Sequence, residues 1–397
     1  MKNTTLLISV DSAEQVIATK LRDLKDHFAV TIYKDIRKKL TISKGDLLLL
    51  NVDGQELIRK VYPDFHITLP KKLFKHKKHG DEMSLPILKI IKPEECEKRP
   101  KNPFLENKLD ICHFIPTKTA YDIPLHIIER TNTTSSIWYS VGGGVSHVTI
   151  KNLAEITKVA EVLGFYFGDG TTCDGIQSLR LTNCEPSILN HCIYFCEEIG
   201  IKRTLWKIQV IYSTNKEITP EIKQRCIDYW SKILNLEEEK IVSVTKSKSL
   251  NESYPYGSAR IFIDNTILVE IFLRGLLNGV MQRVSNPQEA NDYQLLNGFM
   301  RGLLAAEGCV LLNKNGSLVR VSIAFDPHSS ELEFYKVLLQ NLGIRYHTVK
   351  NNELIIQKYE NMQKLYQMEA FKLHSERHKK FITGFKNHKF FKYRALV

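Results

Sequence analysis

Leu163-Gly-Phe-Tyr-Phe-Gly-Asp-Gly170 is an apolar segment that ends in one acid and a glycine, and Met300-Arg-Gly-Leu-Leu-Ala-Ala-Glu-Gly308 repeats that pattern later in the chain. We predict that both segments are helices, which end at their final glycines because glycine is frequent just past a helix C-terminus. The last helical residue is then an acid in each case, Asp169 in the first helix and Glu307 in the second. This matched pair of helices organises the rest of the chain.

Both predicted helices carry small residues at a spacing of four, which places them in one strip along a single helical face. Such a strip lets another helix approach closely, because no bulky side chain holds the two backbones apart. If the two helices pack through their strips, the two carboxylates emerge together at one end of the contact. The small residues are Ala160, Gly164 and Gly168 in the first helix and Gly298, Gly302 and Ala306 in the second.

Two carboxylates held close together repel each other, and they are stable as anions mainly when a cation lies between them. Hard oxygen ligands favour Mg²⁺, which retains waters and shares its coordination shell with substrate phosphates. The pattern therefore predicts a Mg²⁺ site on Asp169 and Glu307, with Mn²⁺ as an expected substitute, and metal-assisted phosphodiester hydrolysis. The alternative is a structural helix contact whose acid–glycine ends are ordinary turn signals.

The two stretches resemble the paired motifs of the LAGLIDADG homing endonucleases in their single-chain, two-repeat form. Residues 164–170 match a GxxxGDG variant and residues 301–308 an RGLxxAEG variant, and the resemblance covers roughly residues 153 to 388. It implies an α+β fold in which two pseudo-symmetric αββαββα repeats form a DNA-binding saddle. It also implies a monomer, associated with an intron or an intein, that cleaves double-stranded DNA. By the same resemblance, Asp169, Glu307 and the backbone of Gly168 and Ala306 hold the metal.

The chain departs from this family at the end of the strand that follows each motif helix. The family often places a lysine or glutamine there to orient the hydrolytic water, but the corresponding positions are Asn183-Cys184 and Phe325-Asp326. Asn183 can still order a water through its amide and is the third catalytic candidate. The missing lysines leave a second hypothesis open, a catalytically weak or inactive transcriptional regulator on the endonuclease scaffold. An RNA-binding splicing factor is a more distant alternative.

Residues 1–105 form a separate, mainly β region with an approximate internal repeat, in which residues 30–47 return as residues 67–82. Each copy is predicted to be a strand, a basic helical turn, a glycine turn and a second strand. The copies resemble the AbrB-type swapped-hairpin fold, which two chains normally build, so we expect one chain to pair its two copies. The basic residues predicted to contact DNA are Lys34, Arg37, Lys38, Lys71 and Lys72.

The remaining boundaries are a linker with short strands at 106–152, a first repeat at 153–280, a second repeat at 281–388 and a basic tail at 389–397. Strands are predicted at 110–115, 137–141, 178–182 and 203–212, and two more within 240–263 around a Pro-Tyr-Gly turn. Helices are predicted at 186–199 and 220–234, beginning at Pro186 and Pro220, and residues 273–279 are predicted to be a structural helix that closes the first repeat. In the second repeat, strands are predicted at 309–312 and 318–325 around a turn at 313–316, and another at 345–349. The family's saddle reads bases with side chains on the free faces of its strands. The DNA-binding candidates on this analogy include Arg180, Arg203, Trp206, Lys207, Lys246, Lys248, Lys314, Arg320 and Arg345.

Composition and charge narrow the class of protein. The chain has 397 residues and a formal net charge of +12, which favours a polyanionic partner. Its eight cysteines are scattered, include no CxxC pair and do not resemble a disulfide framework, so a reducing cytoplasm, in association with the nucleoid, is expected. No apolar run is long enough to span a membrane, and a membrane partner is not expected.

Overall fold

A computed structural model of the chain describes residues 15–25, 27–74, 76–92, 96–141, 144–170, 178–214, 216–247, 254–349 and 352–387. Its contacts divide the chain into two compact units. One consists of residues 1–98, 117–130 and 136–148, and the other of residues 99–116, 131–135 and 149–397. The architecture is a mixture of helices and mostly antiparallel sheets, as the predicted α+β class requires. Within the described residues, no helix is both long and apolar enough to cross a membrane.

The first unit is built on a six-stranded sheet that nearly closes into a barrel, with the strand order β4-β3-β6-β1-β2-β5. Its interior is apolar, and Ile17, Val30, Leu48, Ile67 and Leu85 are fully buried in it. The basic segments of the two sequence copies form a short helix, α1 (Lys34–Leu40), and a 3-10 helix, Lys71–Leu73. The strands are β1 (Gln15–Asp23), β2 (His27–Thr31), β3 (Leu47–Val52), β4 (Gln55–Lys60), β5 (His66–Pro70) and β6 (Glu82–Ile91).

The two sequence copies pair with each other inside this sheet, as predicted. Val30 of β2 lies opposite Ile67 of β5, which is the equivalent residue of the other copy. The pairing of β1 with β6 likewise matches the pairing of β4 with β3. The strands β1 and β4, which precede the copies, were not predicted from the sequence. The structural repeat is therefore one strand longer than the sequence repeat.

Two three-stranded sheets follow. Phe104–Leu105 (β7), Lys108–Asp110 (β8) and Leu153–Glu155 (β12) form one, and Leu125–Arg130 (β9), Thr134–Val141 (β10) and Gly144–Lys151 (β11) form the other. The strand predicted at 137–141 is confirmed within β10. The strand predicted at 110–115 is wrong beyond Asp110, because Ile111–Phe114 is a short helix, α2. The Asp110 carboxylate starts that helix by accepting a hydrogen bond from the Cys112 amide at 3.0 Å.

The second unit contains two four-stranded sheets, with the orders β13-β16-β14-β15 and β17-β18-β20-β19. The strands are β13 (Ser178–Asn183), β14 (Lys207–Ser213), β15 (Ile241–Ser247), β16 (Ser258–Asp264), β17 (Gly308–Leu312), β18 (Leu318–Ala324), β19 (Tyr346–Val349) and β20 (Glu353–Ile356). The helices are α3 (Ile156–Asp169), α4 (Pro186–Glu198), α5 (Pro220–Leu234), α6 (Thr266–Val269), α7 (Asn278–Ser285), α8 (Ala290–Glu307), α9 (Glu331–Asn341), α10 (Tyr359–Gln367) and α11 (Ser375–Lys386). A π-helix, Glu270–Leu277, joins α6 to α7 and includes most of the closing helix predicted at 273–279.

The two halves of this unit follow the same path, and their strand registers agree. Gly170 bridges to Leu181 just as Gly308 pairs with Ile323, so the glycines after the two acids have equivalent partners. Leu181 then pairs with Ile261 as Ile323 pairs with Leu354. The first half departs from the second by the helix α5 and the strand β15, which lie between β14 and β16, and β15 adds to the sheet edge in parallel with β14. The two strands predicted around the Pro-Tyr-Gly turn are thus present but do not pair with each other.

Candidate active site

The helices α3 and α8 pack side by side through their small residues, as the spacing predicted. A Cβ atom at Gly164 would lie 2.0 Å from the Phe299 carbonyl oxygen, and one at Gly302 would lie 2.0 Å from the Glu161 carbonyl oxygen. Real Cβ atoms do not approach backbone so closely. The contact therefore requires glycine at both positions, and backbone lies against backbone.

The same contact brings the two acids to one end of the helix pair. A Cβ atom at Gly168 would lie 2.5 Å from the Ala306 Cβ and 3.1 Å from the Glu307 Cγ, so the last turns of the two helices touch. Asp169 and Glu307 are the final residues of α3 and α8. The predicted juxtaposition of the two helix ends is confirmed.

The glycines after the acids end the helices for a different reason from the one expected. Gly170 has a φ of −87° and Gly308 a φ of −75°, so neither uses the left-handed conformation typical of glycine after a helix. A Cβ atom at Gly170 would lie 2.3 Å from the Tyr166 carbonyl oxygen, and one at Gly308 would lie 2.4 Å from that of Leu304. Both positions therefore require glycine because a side chain has no room there, where the chain passes directly from the helix into extended backbone.

Asp169 is held by an amide from the neighbouring strand. Burial raises the pKa of its carboxyl to about 6, while a hydrogen bond from Asn183 and the charge of Arg377 oppose this rise. Asn183 Nδ2 donates to Asp169 Oδ2 at 2.7 Å, and Asn183 Oδ1 accepts from the Glu185 amide at 2.7 Å. The predicted third residue of the site thus lies beside the first carboxylate, with its orientation fixed by the backbone.

Glu307 has a less favourable environment for its charge. Burial, then the charges of Asp169 and Glu331, raise the pKa of its carboxyl to about 7, and Arg377 opposes them. Asp169 ionises first, and its negative charge then acts against the ionisation of Glu307. The position equivalent to Asn183 is Phe325, since each lies two residues beyond the partner of its motif glycine. That side chain offers no hydrogen bond.

A divalent cation fits these two acids. Both carboxyls resist ionisation in the protein alone, and a cation between them would favour the anionic form of each. Across the part of the chain that the structure describes, no three His, Cys, Asp or Glu side chains form a common metal cluster. Asp169 and Glu307 would offer such an ion two carboxylates, and Mg²⁺ keeps several waters in its coordination shell.

One of the two backbone carbonyls predicted to hold the metal, that of Ala306, already accepts a hydrogen bond. Arg377 Nη1 donates to the Ala306 carbonyl oxygen at 2.9 Å and to that of Ala305 at 2.7 Å. A carbonyl oxygen has two lone pairs, so Ala306 retains one for a metal. Arg377 comes from α11 and was not predicted from the sequence, because nothing in the basic sequence of residues 375–386 marks one residue as the neighbour of α8.

One face of the first sheet is polar, and the opposite face is apolar. Leu179, Leu181, Ile208, Val210, Ile261 and Ile263 are buried on the apolar face. Arg180 and Lys207 lie on the polar face, as predicted, and both are in register with Phe262 of β16. Arg260 lies on the same face, in register with Thr182 and Gln209. Arg260 donates to Thr182 Oγ1 and Gln209 Oε1, both at 3.2 Å. Sequence reasoning missed Arg260, although the alternation in Ser258–Asp264 could have placed it there.

The other basic residues predicted on this sheet lie in different places. Arg203 is in a 3-10 helix, Arg203–Leu205, so the strand predicted at 203–212 is wrong at its start and confirmed from Lys207, where β14 begins. Its guanidinium binds Glu197 with contacts of 3.0 and 2.6 Å and donates to the Leu234 carbonyl oxygen at 2.8 Å. Trp206 is fully buried and lies in the core. Lys246 is exposed on β15, and Lys248 lies outside the described residues.

In the second sheet, Arg320 lies on β18 beside Glu353, with 3.4 Å between Nη2 and Oε2. Lys314 is exposed in the turn between β17 and β18, and Arg345 is exposed just before β19. All three positions agree with the predicted strand and turn pattern. Their contact with DNA stays a prediction.

The basic residues of the first unit fall into two groups. Lys34 and Lys38 are exposed on α1. Arg37 lies 3.8 Å above the Phe65 ring, and Lys71 forms an ion pair of 2.5 Å with Asp23. Lys72 lies in the 3-10 helix Lys71–Leu73. Lys34 and Lys38 are therefore more accessible to a polyanion than Arg37 and Lys71, which already have partners within the protein.

No protein-family model matches the chain, and no curated protein matches it significantly.

Proposed function

We propose that this protein is a site-specific, Mg²⁺-dependent DNA endonuclease of the LAGLIDADG type that acts as a monomer. The observation that carries the proposal is the glycine-mediated contact between α3 and α8, which brings Asp169 and Glu307 to one point. A helix interface needs no acid at that end, and two poorly ionised carboxyls there are costly unless they serve a cation. A cytoplasmic, nucleoid-associated location is part of the same proposal.

In this proposal, Asp169 and Glu307 would hold Mg²⁺ together with the backbone of Gly168 and Ala306. The ion would supply an activated water and would neutralise the charge that develops on the phosphate and leaving oxygen. Asn183 holds the Asp169 carboxylate in one orientation, and its Nδ2 keeps a second N–H with which it could order a water. The close helix contact fixes the distance between the two acids, because neither backbone can move without a clash at Gly164 or Gly302.

The polar face of the first sheet is the proposed DNA-reading surface, together with the matching face of the second. Arg180, Arg260 and Lys207 lie on one side of their strands, while the other side is buried. Such a face can contact base edges and phosphates along a groove. In the first unit, which resembles the AbrB-type fold, Lys34 and Lys38 are proposed to add phosphate contacts.

A cleavage assay with isosteric variants tests this proposal. Wild-type protein is incubated with a randomised duplex DNA library in Mg²⁺ or Mn²⁺, and the cut sites are sequenced. Asp169→Asn and Glu307→Gln each remove one metal-binding charge, so cleavage should fall by several orders of magnitude. DNA affinity without metal should be unchanged or higher, since a negative charge is lost. Asp264→Asn is the matched control, because this acid lies on the same sheet and is paired with Lys207 at 2.9 Å.

Two results would count against the nuclease. Equal cleavage by both isosteric variants would place the catalytic centre elsewhere. Tight binding of a defined site without any cleavage would favour the transcriptional regulator, the second candidate, for which the absence of a lysine at Asn183 and Phe325 is the specific observation.

The salt dependence of binding tests the partner itself. If the saddle and the tail neutralise about 8 phosphates, the log–log slope of affinity against salt should be about −7. Arg260→Gln should weaken binding, and it should lower the slope by about 1 if this side chain contacts a phosphate. Arg203→Gln should leave the slope unchanged, because its guanidinium is already bound to Glu197. A slope near zero would contradict every DNA-binding role proposed.

A further inference from the structure

The carboxylate pair lacks a basic group from either strand end, yet one cation reaches it from another element. Arg377 lies in the first turn of α11, far along the chain from both acids. Its Nη1 atom donates to the Ala305 and Ala306 carbonyl oxygens at 2.7 and 2.9 Å, directly before Glu307. The guanidinium thus closes the C-terminal end of α8, where the helix dipole is negative.

Among the residues that the structure describes, the Arg377 guanidinium forms no ion pair, and its hydrogen bonds all come from Nη1. The positive charge acts on both acids, since it holds the pKa of Asp169 and that of Glu307 below the values that burial would otherwise give. It also opposes the raised pKa of Cys184 and lowers that of His374.

Arg377 is partly exposed and lines a pocket of about 380 Å³ with Cys184, the residue after Asn183, and with Glu185, Glu376 and Lys380. The side chain can therefore meet solvent while Nη1 keeps its bonds to the end of α8. One side chain both fixes the backbone of one acid and presents a cation beside the pair.

We propose that Arg377 supplies the positive charge that the strand ends do not, and that it is a positioning residue of the carboxylate pair. The inference rests on the proposed nuclease function for its catalytic meaning. Its two components are separable, because capping needs only a donor and charge compensation needs a cation. Arg377→Gln retains an amide donor and loses the charge. Arg377→Lys retains the charge and loses the planar fork.

The cleavage arm compares these two variants in single-turnover reactions at saturating protein. Arg377→Gln should cleave about 100-fold more slowly or worse, the effect of removing one preorganised electrostatic group. Arg377→Lys should recover most of that loss, and DNA affinity should hardly change in either. Arg203→Gln is the matched control, because Arg203 also donates to the end of a helix, α5, at 2.8 Å from the Leu234 carbonyl oxygen. Equal cleavage by Arg377→Gln and wild type would overturn the inference.

The second arm needs neither metal nor activity. Melting temperatures are measured in EDTA near pH 8, where both acids are ionised, for wild type, Arg377→Gln, Asp169→Asn/Glu307→Gln and all three changes together. If the charge of Arg377 offsets the two acids, Arg377→Gln should lower the melting temperature much less when the acids are already neutral. An equal decrease in both backgrounds would show a purely structural cap and overturn the inference. If wild type cuts no DNA, the proposed function fails while this cycle still decides the role of Arg377.

Discussion

The two halves of the second unit place an acid at the same point of the same fold and then surround it differently. Asp169 receives a hydrogen bond of 2.7 Å from Asn183, whereas Phe325 occupies the equivalent position near Glu307. Glu307 also faces the negative charge of Glu331, and its pKa is about 7 against about 6 for Asp169. The repeat thus fixes where the acids lie, while each half sets how readily its acid ionises.

This difference assigns unequal parts to the two acids. Near neutral pH and without a cation, the coupled pair retains a proton in a large fraction of molecules, and Glu307, which faces the charges of Asp169 and Glu331, is the less readily ionised of the two. Binding of a divalent cation would remove that proton, so metal binding should release protons and strengthen as the pH rises. A symmetric pair would not divide its charge in this way.

The largest expected effect comes from breaking the contact that both halves share. Gly164→Ala or Gly302→Ala puts a methyl group 2.0 Å from a backbone carbonyl oxygen of the other helix. Each should lower the free energy of unfolding by about 3 kcal/mol or more, at the upper end of overpacking. Urea denaturation followed by circular dichroism measures the loss.

Gly298→Ala is the graded comparison for that prediction. Its added methyl would lie 2.8 Å from the Ala160 Cβ and 2.9 Å from the Thr157 carbonyl oxygen, so the overlap is milder than at the two contacts of 2.0 Å. The loss should therefore be smaller than at Gly164 or Gly302. If all three variants lose the same free energy, or none does, the helices are not held at backbone contact.

A smaller effect is expected in the pH dependence of stability without metal. The folded pKa values of about 6 and 7 lie above the ordinary values of 3.8 and 4.5. Between about pH 4 and pH 7 the folded state therefore holds more protons than the unfolded state, and stability falls as the pH rises. After allowance for solvent screening, we expect roughly 1 kcal/mol from each carboxyl. Thermal denaturation in EDTA across this range provides the measurement.

The isosteric variants sharpen the contrast between the halves. Glu307→Gln should flatten the upper part of this pH range, near pH 7, and Asp169→Asn the part near pH 6. Identical curves for wild type and both variants would contradict the unequal ionisation of the two acids.

The smallest effect concerns the amide that only the first half possesses. Asn183→Ala removes the hydrogen bond that holds the pKa of Asp169 down, so that pKa should rise, by less than about one unit. Carbon-13 NMR of labelled aspartate can follow the titration. Asn190→Ala is the control, since its amide donates to the Ile233 carbonyl oxygen at 2.9 Å and takes no part in the site. An unchanged or lower pKa for Asp169 would show that Asn183 does not stabilise the Asp169 carboxylate.

Much of the second unit could be predicted from local sequence signals. Helical geometry places residues that are four apart, such as Ala160, Gly164 and Gly168, on one face of a helix. The matching strip on the second helix then predicted that the two helices pack through these faces. Proline at the first position of α4 and α5 marked their starts, and the predicted span of α5 agrees with Pro220–Leu234. These are contacts within one turn or between two similar helices, which sequence spacing can express.

The parts that were missed depend on partners distant in sequence. Arg377 lies more than two hundred residues from Asp169, and its role depends on the path of α11 past the end of α8. Arg203 looked like a strand residue, but its bidentate contact with Glu197 holds a 3-10 turn. The pairing of β15 with β14, and not with β16, is likewise set by tertiary contacts that short-range pattern does not encode.

Direct metal titration tests the proposal that Asp169 and Glu307 bind a cation together. Mn²⁺ binding to the metal-free protein can be counted near pH 8 by electron paramagnetic resonance, for wild type and for Asp169→Asn/Glu307→Gln. We expect one Mn²⁺ site in wild type, and we expect the double variant to lose this site while it remains folded. Equal Mn²⁺ binding by the two proteins, or none by wild type with DNA present or absent, would contradict it.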